Sequence, residues 1–187
     1  MVSLMSLWLP ILLSAVFVFI VSSIIHMMLP YHKSDFKKLP KEDEVMDALR
    51  GFNIPEGDYF MPNACEKGGM KNKEIQDKFA KGPVAMMTVM KSGSPNMASS
   101  LILWFFYSIV VSILAAYVTT IALPPNAHYM VVFRYISSTA FIGYSIALLQ
   151  NSIWYNRNWG ATIKSMFDGL IYALLTAGTF GWLWPKM

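Results

Sequence analysis

Four stretches of this chain, residues 7–29, 99–122, 129–149 and 163–184, run for membrane-spanning length with Asp168 as their one acid and Arg134 and Lys164 as their only Lys or Arg. A hydrocarbon core about 30 Å thick needs roughly 20 helical residues, and each stretch supplies that. The expected fold is therefore an all-α membrane protein with four transmembrane helices. The chain divides into a first helix (1–29), a loop segment containing short helices (30–98) and a three-helix region (99–187). Composition agrees: 14% of residues are charged and 55% hydrophobic, whereas about a quarter of a soluble domain is charged.

A cleaved signal peptide would show a basic leader and an apolar run of about 7 to 15 residues. Residues 1–6 carry no Lys or Arg, and the first apolar run continues past twenty residues to Tyr31, His32 and Lys33, which favours an uncleaved anchor.

Orientation follows from the basic residues, which are enriched in cytoplasmic loops. Eleven Lys and Arg, from Lys33 to Lys91, separate the first two spans, and Arg157 and Lys164 flank the last connection. Residues 1–6 and 123–128 carry no Lys or Arg, and the C-terminal end has only Lys186. The expectation is a multi-pass inner (plasma) membrane protein with the 30–98 segment in the cytoplasm and both termini on the periplasmic side. Tryptophan favours the headgroup level, and Trp8, Trp182 and Trp184 at one side with Trp104, Trp154 and Trp159 at the other agree with that topology.

Pro124, Pro125 and Asn126 predict a tight antiparallel hairpin between the second and third spans. In the loop segment, Pro40 suits a first helical position, followed by Glu42, Asp43 and Glu44 at the positive end of the helix dipole, with Gly51 as the stop. A second short helix is expected over 73–80, ended by Gly82 and Pro83. Pro55, Gly57, Pro62, Gly68 and Gly69 read as loop, and the apolar run 84–90 fits either a strand or a segment lying on the membrane surface. No internal repeat is evident, and no span is broken by a mid-membrane Pro or Gly pair of the kind that marks transporter helices.

Four ionisable residues in or near the spans are candidate functional groups. Asp168 lies about five residues inside the fourth span, where an unpaired carboxylate is costly and suggests a proton or ion relay. The plainer reading is local pairing with Lys164, four residues earlier, or with His26 at similar depth on the first span. Arg134 lies roughly 7 to 8 Å in from the other side, where its side chain can snorkel outward. At opposite depths, Arg134 and Asp168 should not form a salt bridge.

No metal site is expected: His26, His32 and His128 lack ligand spacing, and Cys65 is the only cysteine. Fourteen methionines suit flexible packing better than copper binding. No nucleotide-binding glycine loop or hydrolase elbow occurs, and no cofactor is expected. A net charge of +4, spread among acids, makes no nucleic-acid footprint.

Gly169, Ala173 and Ala177 recur every four residues on the fourth span, and Gly143 with neighbouring Ser, Thr and Ala residues fits the same role on the third. Such spacing lets helix backbones approach closely, either within the chain or against a neighbour.

The exit of the first span from His26 to Pro40 (HMMLPYHKSDFKKLP), the Trp154 to Trp159 loop, and the closing Trp182-Leu-Trp-Pro185 resemble a group of uncharacterised bacterial inner-membrane proteins of about this length. The resemblance covers the whole chain and implies a bacterial inner membrane, with no activity attached. The favoured function is a non-catalytic membrane subunit or scaffold, with the lipid bilayer and other membrane subunits or a second copy as partners. The alternative is a small proton, ion or solute transporter or channel that uses Asp168 and His26. An enzyme is the least supported class, because no nucleophile, paired carboxylates or metal cluster is visible.

Overall fold

The computed structural model describes residues 2–65, 69–94 and 96–186. The elements are α1 (Trp8–Met27, entered through a 3-10 turn at Leu4–Leu7), α2 (Glu42–Gly51), β1 (Gly57–Met61), α3 (Lys73–Lys81), β2 (Ala85–Val89), α4 (Met97–Ala122), α5 (Tyr129–Tyr144), α6 (Leu149–Tyr155) and α7 (Trp159–Leu183). Four helical stretches are long and apolar enough to cross a membrane: Leu4–Met27, Met97–Ala122, Tyr129–Tyr155 and Trp159–Leu183. The chain is an all-α membrane protein.

The span ends have local causes. Asn96, His128 and Asn158 each cap a helix, their side chains accepting from the backbone N–H of Ser99, Met130 and Gly160; this satisfies donors that a helix start leaves open. Leu123, ahead of Pro124, is extended and stops α4, as a residue before proline is pushed out of the helical region. Asn126 takes a positive φ of 62° in the turn between α4 and α5, and its N–H donates to Pro185 O at 3.0 Å.

The third span departs from its expected limits of 129–149. α5 ends at Tyr144, a 3-10 turn covers Ile146–Leu148, and α6 carries the span on to Tyr155. No proline or glycine pair makes this break. Ser145 leaves helical geometry; its N–H still donates to Phe141 O at 2.9 Å, and its hydroxyl donates to Met166 O on α7 at 3.2 Å, tying the break to the neighbouring helix.

The core of the membrane body is built from small residues. Ala173 and Ala177 on α7, Ala140 on α5 and Ala115 and Ala116 on α4 are completely buried, together with Val18, Val132, Ile136 and Phe180. A Cβ on Gly169 would overlap Ser145 Oγ, and one on Gly143 would meet Val111 Cγ1 at 3.1 Å. The small-residue faces are therefore used within the chain, holding α7 on α5 and α5 on α4. Outward, Ile102, Leu103, Phe106, Leu114 and Ile121 of α4 are exposed, as suits a surface in contact with lipid. Trp184 is not at that surface: it is buried, and its Nε1 donates to Pro124 O at 3.1 Å.

Residues Lys37–Pro95 form a separate compact unit. Its β1 pairs antiparallel with β2, Gly57 opposite Val89 and Met61 opposite Ala85. The run 84–90 is thus a strand, and its partner lies where Pro55, Gly57 and Pro62 suggested only loop. Five alternating residues between turn formers carry too little signal to separate the two. Pro40 is not in the first turn of α2: Lys41, at a φ of 52°, precedes the helix, which starts at Glu42. α3 follows its expectation, capped by Asn72 and stopped at Gly82. Lys67 and Gly68 lie outside the described residues.

Candidate functional site

The last turn of α1 carries His26, whose Nδ1 lies 3.0 Å from Ser22 O in the preceding turn. Pro30 then opens a 3-10 turn, Pro30–Ser34, that folds the chain back. The His32 ring stacks on His26, with centroids 4.6 Å apart and planes 10° from parallel. In this position His32 lies between two carboxylates: Nδ1 is 2.6 Å from Asp35 Oδ2 and Nε2 is 2.8 Å from Asp168 Oδ2. The Asp35 and Asp168 side chains are 6% and 3% exposed, respectively, and that of His32 14%.

Lys164 does not pair with Asp168. Its ammonium donates to Tyr31 O at 2.6 Å, Ser34 Oγ at 2.8 Å and Asp35 Oδ1 at 2.9 Å. All three of its N–H donors are used, and they lock the returning turn onto α7. The expected local pairs are corrected accordingly: Asp168 is held by His32, Lys164 by Asp35, and His26 contributes a stacked ring. The helical spacing of Lys164 and Asp168 permitted a pair, but the folded-back turn offers Lys164 three oxygens at once.

The charges close on themselves. Carboxylates face both nitrogens of His32, so a proton must lie between Nε2 and Asp168 Oδ2, on one atom or the other. With His32 as imidazolium, Asp35 and Asp168 balance His32 and Lys164. Outside the membrane-spanning helices, Asp35 is the clearest electrostatic marker: the His32 hydrogen bond, with Lys164 beside it, holds its carboxyl below the usual range against the opposing effect of burial.

The fold gathers what the spacing of the histidines kept apart. Ligand-capable atoms of His26, His32 and Asp168 all lie within 4.8 Å of one another. A metal ion binds in the plane of an imidazole, along its nitrogen lone pair, and two parallel stacked rings cannot both point at one ion. In this arrangement His32 is hydrogen-bonded between Asp35 and Asp168, and His26 is stacked on it. His128 takes no part and caps α5. Arg134 is exposed on α5, and no ion pair joins it to Asp168 among the described residues.

Beside the cluster lies a cavity of about 610 Å³ lined by His26, Ser100, Leu103, Trp104, Tyr107, Tyr144, Leu148, Ser165, Asp168 and Tyr172. A second cavity of about 380 Å³ shares His26, Ser100 and Trp104 with it and adds Met27, Met97 and Leu101. Trp104 stands between them, fixed by its Nε1 donating to Ser22 Oγ at 2.8 Å. Among the described residues, Asp168 Oδ1, Tyr144 OH and Tyr172 OH are buried side-chain polar atoms with no hydrogen bond to the protein within 3.5 Å, and the hydroxyls of Ser108, Ser112 and Thr176 neighbour Tyr144 OH. All three belong to residues lining the larger cavity. Unsatisfied groups of this kind are uncommon in folded proteins.

Behind the cavity the bundle interior is hydroxylated. Ser14, Ser108, Ser112, Thr119 and Thr176 are completely buried. Ser14 and Ser112 join α1 to α4 at 3.0 Å, while Thr119 and Thr176 donate to carbonyls one turn earlier. Asp168, Tyr172 and Thr176 recur every four residues, so they form one inward stripe of α7 about 12 Å long.

Sequence reasoning found Asp168, His26 and Lys164 but not His32 and Asp35. The available signal was their spacing of three, directly after Pro30, at the exit of an apolar helix. Compared with family models, with curated proteins and with solved structures, the chain shows no match.

Proposed function

We propose that this protein is a small transporter or channel that handles protons or small cations, with Asp168 as the binding group. The observation that carries the reading is the buried His32–Asp168 pair, with its obligatory proton, whose Asp168 lines a cavity inside the membrane body. A titratable carboxylate inside a membrane helix is expensive and marks ion or proton pathways. Of the two uses open to the small-residue faces, Gly169, Ala173 and Ala177 take the one within the chain, which removes them as a contact for a neighbouring subunit.

We place the protein in a bacterial inner membrane, with the His32 end and residues 37–95 in the cytoplasm, because the Lys and Arg gather there. Labelling of a cysteine at position 38 from the outside of sealed cells would reverse this topology. The function is tested by reconstituting the protein in vesicles with a trapped pH dye. Asp168→Asn should abolish proton or cation flux while abundance and assembly stay unchanged. Undiminished flux in that variant would remove Asp168 from the path, and stoichiometric partner subunits copurifying with a flux-inactive protein would restore the scaffold reading.

A further inference from the structure

The 610 Å³ cavity has room for more than a proton or a bare metal ion, and its volume falls in the range of sites for small organic molecules. Its lining combines one carboxylate, Asp168, with four aromatic rings. Trp104 and Tyr144 each contact the other and both Tyr107 and Tyr172, with centroids 5.4 to 6.3 Å apart. Leu103 and Leu148 supply apolar wall, and the adjoining cavity continues it past Met27, Met97 and Leu101.

These groups call for one kind of ligand. Aromatic faces carry negative potential and attract cations, most strongly when water is excluded. Asp168 Oδ1 is a buried acceptor with nothing to accept, and Asp168 is 2% exposed. The phenol oxygens of Tyr144 and Tyr172 can also accept. Neither neighbouring donor fills this role: His32 Nε2 is engaged with Asp168 Oδ2, and Lys164 has its donors committed to the returning turn. An N–H donor that is positively charged and carries an apolar body would satisfy the acid, the rings and the wall together.

We infer that the ligand of this cavity is an amphiphilic organic ammonium, its charge paired with the Asp168 carboxylate and its apolar body lying against the rings of Trp104, Tyr107 and Tyr172. The inference rests on the reading above in that Asp168 is the binding group. It adds the substrate class: a protonated amine of modest size that reaches the site from the lipid or from the water at the His32 end.

The test is calorimetric titration of the full chain in lipid nanodiscs, with empty nanodiscs as the blank. Three probes share one body and differ in charge: phenylbutylamine, phenylbutanol and phenylbutyrate. The amine should bind saturably, and the alcohol and the acid should not exceed the blank. Asp168→Asn should weaken the amine by about tenfold or more, the scale of losing a charged hydrogen bond. Trp104→Leu should weaken it by about threefold or more, and Arg134→Gln should leave it unchanged. Should Asp168→Asn fail to fold, the charge discrimination of the unmodified protein and the Trp104→Leu result still decide. Equal binding of the alcohol or the acid, undiminished binding by Asp168→Asn, or no saturable amine binding would each overturn the inference. Amine binding without flux in vesicles would sink the transport reading and leave this inference standing. Proton flux without amine binding would do the reverse.

Discussion

His32 Nε2 and Asp168 Oδ2 stand 2.8 Å apart although 136 positions separate them in the chain. The contact ties the exit of α1 to the interior of α7 and keeps a carboxylate at a depth where it could not remain unpaired. Asp35 and Lys164 extend it to four charges that sum to zero, with His32 as imidazolium, so each member depends on the others.

Removing His32 leaves Asp35 and Asp168 without the ring that hydrogen-bonds both carboxylates. His32→Ala should destabilise the protein by about 3 kcal/mol, because breaking a buried pair strands a charge. The double variant His32→Ala with Asp168→Ala should cost clearly less than the sum of the two single variants. Denaturant titration in detergent measures all three, and simple additivity would show that the pair is not coupled.

Lys164 has a smaller and more local effect. Its side chain is 29% exposed, so solvent already screens much of its attraction for Asp35. Lys164→Met should cost about 1 kcal/mol in global stability. It should nevertheless release the Pro30–Ser34 turn, seen as faster amide exchange at residues 31–35 with α7 still protected. Unchanged exchange there would mean that Pro30 and His32 hold the turn unaided.

The close approach of α5 and α7 depends on Gly169. A methyl group there overlaps Ser145 Oγ and crowds Tyr144, at the point where the third span breaks. Gly169→Ala should destabilise by about 2 kcal/mol through overpacking. Gly143→Ala should cost less, because Val111 can shift by a rotamer change. Equal losses in the two variants would show that the break at Ser145 is not fixed by this contact.

The membrane body was legible in the sequence because its signal is long: twenty uncharged residues leave few alternatives to a spanning helix. The hairpin at Pro124 and Pro125 and the helix over 73–81 were legible for a similar reason, having explicit stop signals. The break after Tyr144 was not, since Ser145 acts through a bond to Met166, a partner invisible in local spacing. β1 was hidden among prolines and glycines, and its pairing with β2 is a long-range contact. At the site, periodicity pointed Asp168 towards Lys164, and helical spacing within one element is what periodicity can report. The returning turn from Pro30 to Ser34 brought in His32 and Asp35, and only the folded chain shows that Lys164 prefers them.

The acid limb of stability should report Asp35. In the folded protein the His32 hydrogen bond and Lys164 favour its ionised form, so its folded value lies below the ordinary 3.8. The unfolded chain then binds a proton more readily than the folded one, and stability rises with pH wherever that difference is populated. The contribution is fully present above the unfolded value, begins to fall as the pH drops towards about 4, and is lost once the pH passes below the folded value. Thermal unfolding in detergent between about pH 6 and pH 3 should therefore show a fall in Tm in the unmodified protein. Asp35→Asn should begin with a lower Tm at neutral pH and lose less of it on acidification, because its amide cannot titrate. Parallel Tm curves for the two proteins over that interval would place the acid sensitivity elsewhere and remove Asp35 from the network.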